Sequence, residues 1–307
     1  MWKTPRPSLV AAVVSVLAAA LALAVPPPVL SQQAGQPPVD VALVLAVDVS
    51  RSMSPGELRI QRKGYAEAIV SPEVLRAIAG GAHGRIAVTI FEWAADSHTR
   101  EIQPWTLIET AADARLVSDR LLEEDSRGER RTSISGAIAR GITLVEAAPY
   151  PSERQVIDIS GDGPNNQGLP VTLERDRAIG KGITINGLPM MTRDGAGMLF
   201  GIDDLDEYYR RCVIGGPASF MIPVNGWDQF AEAVRRKLVL EIGGLVPGTP
   251  RDPWHRPGAQ PARIVPAGYV GGERITPVQL GNDAPYDCMI GEKIWNQRRW
   301  IFDGDIR

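Results

Sequence analysis

The chain has 307 residues, of which 44% are hydrophobic and 22% are charged, and its net charge at pH 7 is −3. This is the composition of an ordinary globular protein, with enough length for one large α/β domain or two modest ones. Because the charge is close to neutral and the sequence has no basic face, we expect no nucleic-acid partner.

Residues 1–24 have the pattern of a signal peptide. Such a signal has a charged start, an apolar stretch and a small-residue cleavage site, and here these are Lys3 and Arg6, residues 9–25, and Ala22 with Ala24. An uncleaved N-terminal anchor is the alternative, because the apolar stretch is just short of a comfortable membrane span. Residues 25–38, rich in Pro and Gln, are predicted to be a flexible spacer. We therefore expect an exported protein, periplasmic or secreted, without a membrane span beyond the signal segment.

The sequence has two cysteines, Cys212 and Cys288. An oxidising compartment outside the cytoplasm favours a disulfide between them over two separate buried cysteines. Neither lies in a Cys-x-x-Cys motif or next to a histidine, which argues against a metal or haem site. We therefore predict a Cys212–Cys288 bridge that attaches the end of the chain to the domain before it.

Residues 39–243 alternate between apolar runs and amphipathic stretches, which predicts a doubly wound α/β domain. We expect a mostly parallel central sheet with helices on both of its faces. Strands are predicted at residues 41–47, 85–94, 98–105, 155–160, 183–190 and 219–224, and helices at 55–70, 111–122, 133–147, 173–182, 203–213 and 227–242. The first helix has a start signal in Ser54, Pro55 and Glu57. Asp158 is unusual in the middle of a strand and requires a buried partner.

Residues 244–307 differ from the rest of the chain, because they are dense in proline and glycine and show little periodicity before residue 292. They also contain three tryptophans, Trp254, Trp295 and Trp300. We interpret this part as a C-terminal extension that packs on the main domain and not as a second independent core.

Polar side chains follow the first predicted strand where it ends, with Asp48, Ser50 and Ser52 on alternate positions. A second carboxylate, Asp162, directly follows a later buried strand, and Thr132 stands at the start of an amphipathic helix. Ligands of open α/β sheets bind at the carboxyl ends of the strands, so we expect these five residues at one edge of the sheet. Two carboxylates and three hydroxyls suit Mg²⁺, Mn²⁺ or Ca²⁺ and do not suit zinc or copper.

Three motifs, "DVSRSM", "RTSISGAI" and "ISGDG", resemble in their order the von Willebrand factor A domain with its metal-ion-dependent adhesion site. The phrases "QRKGYAEAI", "GRIAVTIFEW" and "SGDGPNNQG" look like an exported bacterial subgroup of that family, whose function is unassigned. The resemblance maps the five metal positions onto Asp48, Ser50, Ser52, Thr132 and Asp162. It implies a divalent cation, Mg²⁺ first and Mn²⁺ or Ca²⁺ as alternatives, and a carboxylate from a bound partner in the sixth position.

The sequence departs from the family pattern at three arginines. Arg51 stands where the family often has glycine, and Arg130 and Arg131 replace the usual glycines before the threonine. A guanidinium near the site can weaken the cation or help to bind an acidic partner, and the sequence leaves both open.

Our leading hypothesis is a metal-dependent protein-binding module of the bacterial cell envelope, with no catalytic residues. Its partner is expected to be a protein or peptide ligand with an exposed Asp or Glu carboxylate. One alternative is a Mg²⁺-dependent hydrolase resembling a phosphatase, although the chain lacks a G-x-S-x-G elbow and a P-loop. The other is a metal-free structural protein of the envelope.

Overall fold

The computed structural model describes residues 35–123, 125–126, 128–192, 200–245, 247 and 285–298. The strands are β1 (Ala42–Asp48), β2 (Ile86–Trp93), β3 (Thr99–Ile108), β4 (Gln155–Gly161) and β5 (Thr184–Pro189). The helices are α1 (Pro55–Ile69), α2 (Pro72–Ala79), α3 (Ala111–Glu123), α4 (Ile134–Glu146), α5 (Val171–Gly180), α6 (Leu205–Tyr208), α7 (Phe230–Gly243) and α8 (Ile290–Arg298). A π-helical turn, Tyr209–Val213, follows α6, and a 3₁₀ turn, Trp227–Gln229, precedes α7.

Some of the sequence predictions concern parts of the chain outside the described residues. These parts are the predicted signal peptide at 1–24, most of the predicted spacer at 25–38 and most of the predicted extension at 244–307. Within the residues that are described, no helix is both long enough and apolar enough to cross a membrane.

The strands form one sheet in the order β3-β2-β1-β4-β5. Strand β1 is parallel to both of its neighbours, β5 is parallel to β4, and β3 is the antiparallel edge. Every residue of β1 is buried, as a central strand covered on both faces requires. The chain winds outward from β1 to β2 on one side and later to β4 on the other, so the strand order reverses between β1 and β4.

Helices cover both faces of the sheet, which confirms the predicted α/β architecture. Because side chains alternate along a strand, Leu43 and Leu45 of β1 pack in one apolar layer while Val44 and Ala46 pack in the other. The first layer is completed by α1, α2, α3 and α7, and the second by α4, α5, α6 and the π-helical turn.

Helix α1 begins where the sequence predicted, at a capping box. The Ser54 hydroxyl accepts a hydrogen bond from the Glu57 backbone N–H at 3.3 Å, and the Glu57 carboxylate accepts one from the Ser54 N–H at 2.6 Å. Pro55 occupies the first helical position. This start lies two residues after Ser52 and fixes the direction in which the chain leaves the β1 loop.

Two sequence predictions about elements were wrong. Residues 219–224, predicted as a last strand, make only isolated bridges to β5 and to Met190 after it, because Pro189 of β5 has no N–H to donate to a continuous ladder. Helix α2 was missed, although Ser71 and Pro72 repeat the start signal of α1: the Ser71 hydroxyl accepts from the Val74 N–H.

Candidate functional site

The reversal of strand order brings the two predicted carboxylates to the same edge of the sheet. Asp48 is the last residue of β1, and Asp162 directly follows the last residue of β4. The two strands are hydrogen-bonded neighbours in parallel register. Their carboxyl ends flank the position where doubly wound proteins bind their ligands.

Hydrogen bonds join four of the five predicted site residues. The Asp48 Oδ1 atom accepts from the Ser50 N–H at 2.7 Å, which folds the loop back onto the strand end. The Ser52 hydroxyl donates to Asp162 Oδ1 at 2.7 Å, and the Ser50 hydroxyl lies 2.8 Å from that of Ser52. The Ser50 hydroxyl is also 3.4 Å from Asp162 Oδ1. Because Ser50 and Ser52 occupy alternate positions on this loop, both of their hydroxyls point toward the Asp162 carboxylate.

Thr132 is buried, and its backbone is held by Asn166. Its N–H donates to Asn166 Oδ1 at 2.9 Å, and its carbonyl accepts from the Asn166 N–H at 2.8 Å. The loop before it pairs with the β1 loop, because the Arg51 N–H donates to the Glu129 carbonyl and the Glu129 N–H to the Val49 carbonyl. Thr132 is thus connected to the other site residues through the backbone of neighbouring loops, whereas those four residues are joined to one another by direct hydrogen bonds.

Burial raises the pKa of Asp48 well above its ordinary value, and the nearby charge of Asp162 raises it further. Burial also raises the pKa of Asp162, to about 6, although the hydroxyls of Ser52 and Ser50 oppose this rise. Among the described residues, the buried Asp48 Oδ2 atom has no hydrogen-bond partner. A divalent cation would fit these residues, since it would supply that partner and offset the repulsion of the two carboxylates.

The donor set consists of hard oxygen atoms. Among the described residues, no group of three or more His, Cys, Asp and Glu side chains could hold a metal ion. A cation at this edge would therefore depend on the two carboxylates together with the serine and threonine hydroxyls. Oxygen donors of this kind suit Mg²⁺, Mn²⁺ and Ca²⁺.

Two buried side chains that the sequence analysis did not identify, Trp93 and Tyr209, form the back wall of the site next to Asp48. A Cβ atom at Gly161 would lie 2.7 Å from the Tyr209 hydroxyl and 3.1 Å from Asp48 Oδ2, so only glycine permits this close approach. Trp93 stands beside Asp48 in the sheet register and also borders Gly161. Tyr209 comes from the π-helical turn, a geometry that is frequent at functional sites. Its distance along the chain left no sequence signal for it.

Two of the three arginines that depart from the family pattern, Arg51 and Arg131, are chain neighbours of predicted site residues. Arg51 is exposed, and its Nε donates to the Gly128 carbonyl at 3.3 Å. Arg131 has φ of 82°, a left-handed conformation that is uncommon for a residue other than glycine. Its guanidinium lies 3.6 Å from the ring centroid of Trp295. The departures at Arg51 and Arg131 thus place one guanidinium at the surface and one against an aromatic ring.

The predicted disulfide is present, between Cys212 of the π-helical turn and Cys288. Around it, Tyr286, Cys288 and Ile290 pack on the second apolar layer of the domain. The described part of the C-terminal extension therefore lies on the main domain. The disulfide indicates a protein of an oxidising compartment outside the cytoplasm.

The solved structures described below are similar to the chain at 12–17% sequence identity. Proximal thread matrix protein 1 from the mussel byssus matches with a TM-score of 0.47 and 14% identity, over 67% of this chain and 49% of that one. A further structure of that mussel protein has a zinc-occupied MIDAS motif.

Two bacterial proteins are also similar. A von Willebrand factor type A protein from Catenulispora acidiphila matches with a TM-score of 0.44 and 17% identity, over 67% of this chain and 43% of that one. The pilus adhesin SpaC from Lactobacillus rhamnosus GG matches with a TM-score of 0.47 and 12% identity, over 66% of this chain and 31% of that one. The chain spans about half or less of the length of these proteins. A von Willebrand factor A structure is thus among those similar to the chain, as its motifs predicted.

The family comparison covers the domain that carries the site. No curated protein matches the sequence significantly. The model of one family, described as protein of unknown function (DUF1194), matches residues 38–246. This range contains all five strands and all five predicted site residues. The chain belongs to the DUF1194 family.

Proposed function

We propose that the protein is a metal-dependent binding module of the bacterial cell envelope. Asp48, Ser50, Ser52, Thr132 and Asp162 would hold a divalent cation, Mg²⁺ first and Mn²⁺ or Ca²⁺ as alternatives. When bound, the cation supplies an open coordination position for a carboxylate of a protein or peptide partner. The observation that carries the proposal is the unpartnered Asp48 Oδ2 atom, buried next to a second carboxylate.

The residues of the chain have separate roles in this proposal. Asp48 is fixed by the Ser50 N–H, which leaves its other carboxylate oxygen for the cation. The hydroxyls of Ser50 and Ser52 orient Asp162 and are themselves oxygen donors. Exposed Arg51 lies between those two serines and adds a positive charge that favours an acidic partner.

Export of the protein is supported by the disulfide and by the signal-peptide pattern of residues 1–24. The module would act in the periplasm or outside the cell. A carboxylate-binding module in either place would meet the side chains of envelope or secreted proteins.

The first prediction is that a divalent cation stabilises the wild-type protein. A cation that binds only the folded state adds about 2.7 kcal/mol to the free energy of unfolding at one hundred times its Kd. Asp48→Ala should lose this gain, because it removes the buried carboxylate at the strand end. Thermal and urea unfolding with Mg²⁺, Mn²⁺, Ca²⁺ or EDTA measures both effects.

A matched control is Ser133→Ala, which changes the next hydroxyl along the chain. Ser133 caps α4 by accepting from the Gly136 N–H at 3.1 Å, so its loss lowers stability by about 1 kcal/mol. The loss should be equal with cation and with EDTA, and the cation gain should remain. Equal unfolding curves of the wild type in all four solutions would refute the metal site.

Partner binding is tested with defined probes. An immobilised peptide of aspartates and glutamates is compared with its asparagine and glutamine counterpart, each in Mg²⁺ and in EDTA. The proposal requires binding that depends on both the carboxylates and the cation, and that Asp48→Ala abolishes. Equal binding of the amide peptide, or binding that survives EDTA, would contradict carboxylate capture through the cation.

We propose that the protein acts by binding and not as an enzyme. What supports this proposal is the donor set of the site, two carboxylates and three hydroxyls of the kind that bind a hard cation. Assays with p-nitrophenyl phosphate and p-nitrophenyl acetate in Mg²⁺ test this statement. Hydrolysis that requires the cation and is lost in Asp48→Ala would favour the hydrolase alternative.

A further inference from the structure

The described end of the chain, residues 285–298, lies outside the family match at residues 38–246 and still reaches the surroundings of the metal site. We infer that this C-terminal segment is a positioning element of the site, which holds two loops and the π-helical turn in the arrangement that binds the cation. The inference rests on the proposed metal site. Three sets of contacts carry it, and each ends next to a different site residue.

The first contact is the disulfide, which joins the segment to the back wall of the site. Cys212 lies in the same π-helical turn as Tyr209, three residues further along the chain. The Tyr209 hydroxyl packs against Gly161 next to Asp48 Oδ2. The ring of Tyr286 adds to this attachment, because it lies 6.2 Å from that of Tyr208. The disulfide therefore fixes the turn that stands behind Asp48.

The second contact joins α8 to the loop that follows Asp162. The Asn165 Nδ2 donates to Glu292 Oε1 at 2.7 Å, while the Asn165 Oδ1 accepts from the Ser135 N–H at 3.0 Å. A Cβ atom at Gly291 would lie 2.0 Å from the Asn165 carbonyl oxygen, so the helix touches this backbone directly. Asn165 thus connects the loop after β4 to the start of α4 and to the C-terminal segment at once.

The third contact is between Trp295 and Arg131. The guanidinium of Arg131 stacks on the Trp295 ring, and Phe200 packs on the same ring with centroids 5.1 Å apart. Arg131 precedes Thr132 and has a left-handed backbone that is unfavourable for its residue type. The stacking is a cation–π interaction that helps to keep this conformation.

These contacts fall on the neighbours of Asp48, Asp162 and Thr132, which identifies the segment as a support and not as a cover. Groups that orient the ligands of a metal ion typically change its affinity by about 10-fold to 100-fold when they are removed. Detaching the segment should therefore weaken cation binding. A cover would have the opposite effect, because its removal would open the site.

The experiment uses the full chain with Trp295→Ala, the conservative Trp295→Phe, and the double variant Cys212→Ser with Cys288→Ser. The Kd for Mg²⁺ is measured by calorimetry, and hydrogen exchange of residues 129–135 and 160–166 is followed in EDTA. Trp295→Ala and the double variant should raise the Kd about tenfold and speed exchange in these loops. Trp295→Phe keeps an aromatic face and should restore most of the affinity.

Trp105→Ala is the matched control, since Trp105 packs on the same apolar layer and its Nε1 donates to the Leu144 carbonyl. It should lower the Tm and leave both the Kd and the exchange of the two loops unchanged. Unchanged Kd and exchange in Trp295→Ala, or tighter Mg²⁺ binding, would overturn the inference. If the wild type binds no cation, the proposed function fails, and the exchange in EDTA alone decides whether the segment positions the loops.

Discussion

Asp158 lies in the middle of β4, and the buried partner that the sequence required for it is Lys237. The Lys237 Nζ is 2.6 Å from Asp158 Oδ1 and also pairs with Glu241 one turn further along α7. The Asn186 Nδ2 donates to Glu241 Oε1 at 2.8 Å. One ammonium group thus serves two buried carboxylates. Burial and the charge of Asp158 raise the pKa of Glu241 to about 7.

The pKa of Glu241 predicts how stability depends on pH. The folded pKa of about 7 lies above the ordinary value of 4.5, so the folded protein favours the protonated form. This contribution is complete below pH 4.5 and is lost as the pH rises through 7. Lys237, Asp158 and the Asn186 amide face the group, and the guanidinium of Arg154 binds the carbonyls of Glu241 and Ile242.

Glu241→Gln removes this titration and keeps a neutral side chain of the same shape. Between pH 5 and 8, the free energy of unfolding of the wild type should fall more steeply than that of the variant. Urea unfolding in EDTA at several pH values measures both slopes. The metal-site carboxylates titrate in both proteins, so their contribution cancels in the difference between the two slopes. Parallel curves for the two proteins would show that Glu241 does not titrate in this range.

At the scale of elements, the contact between α1 and α7 depends on a glycine. A Cβ atom at Gly64 of α1 would lie 2.5 Å from the Phe230 Cδ1 atom at the start of α7. Alanine favours a helix over glycine by about 1 kcal/mol at most, whereas overpacking a core contact costs about 1–3 kcal/mol. We therefore expect the cost of overpacking at this position to exceed the gain in helix propensity.

We accordingly predict that Gly64→Ala lowers the free energy of unfolding. Gly180→Ala is the matched helical control, since a Cβ atom at Gly180 would have no neighbour within 4 Å and its φ is not positive. That substitution should raise stability by about 0.5–1 kcal/mol. Urea unfolding of the two variants should give shifts of opposite sign. A gain in both would mean that Phe230 moves aside without cost.

The elements that the sequence predicted are those with a local signal. The apolar run of β1 and the capping box of Ser54 both depend on residues that are close together in the chain. The prediction for 219–224 failed because the apolar run was judged without the sheet, in which Pro189 of the neighbouring strand interrupts pairing. The site residues at strand ends could be predicted for the same reason, because the end of an apolar strand is visible in the neighbouring sequence.

The rest of the site depends on long-range packing, which no local pattern encodes. Tyr209 approaches Asp48 only because the π-helical turn packs against Gly161. Lys237 lies on α7, far along the chain from Asp158, and only packing of that helix on the sheet makes the two a buried ion pair. Trp295 and Arg131 are still further apart in the chain, and only the folded structure brings them together.

At the scale of the whole molecule, the signal-peptide pattern predicts where the mature protein begins. The chain recovered from the periplasm or the medium should start near residue 25, and its two cysteines should be linked. Intact mass and peptide mapping without reduction measure both properties. A mass that includes residues 1–24 would identify an uncleaved anchor, and two freely alkylated thiols would contradict export into an oxidising compartment.

Strand β1 links the two ends of the domain by one short stretch of backbone. Its amino end follows Val39, where the chain enters the domain, and its carboxyl end carries Asp48. If a bound partner is pulled away from the N-terminal side, tension runs through the covalent bonds of this strand. The part of the load that enters through Asp162 at the end of β4 reaches β1 through the hydrogen bonds between these two strands, which are then loaded in shear. We therefore expect the domain to resist a pull along β1 better than a pull across the sheet, which would open the same hydrogen bonds one after another.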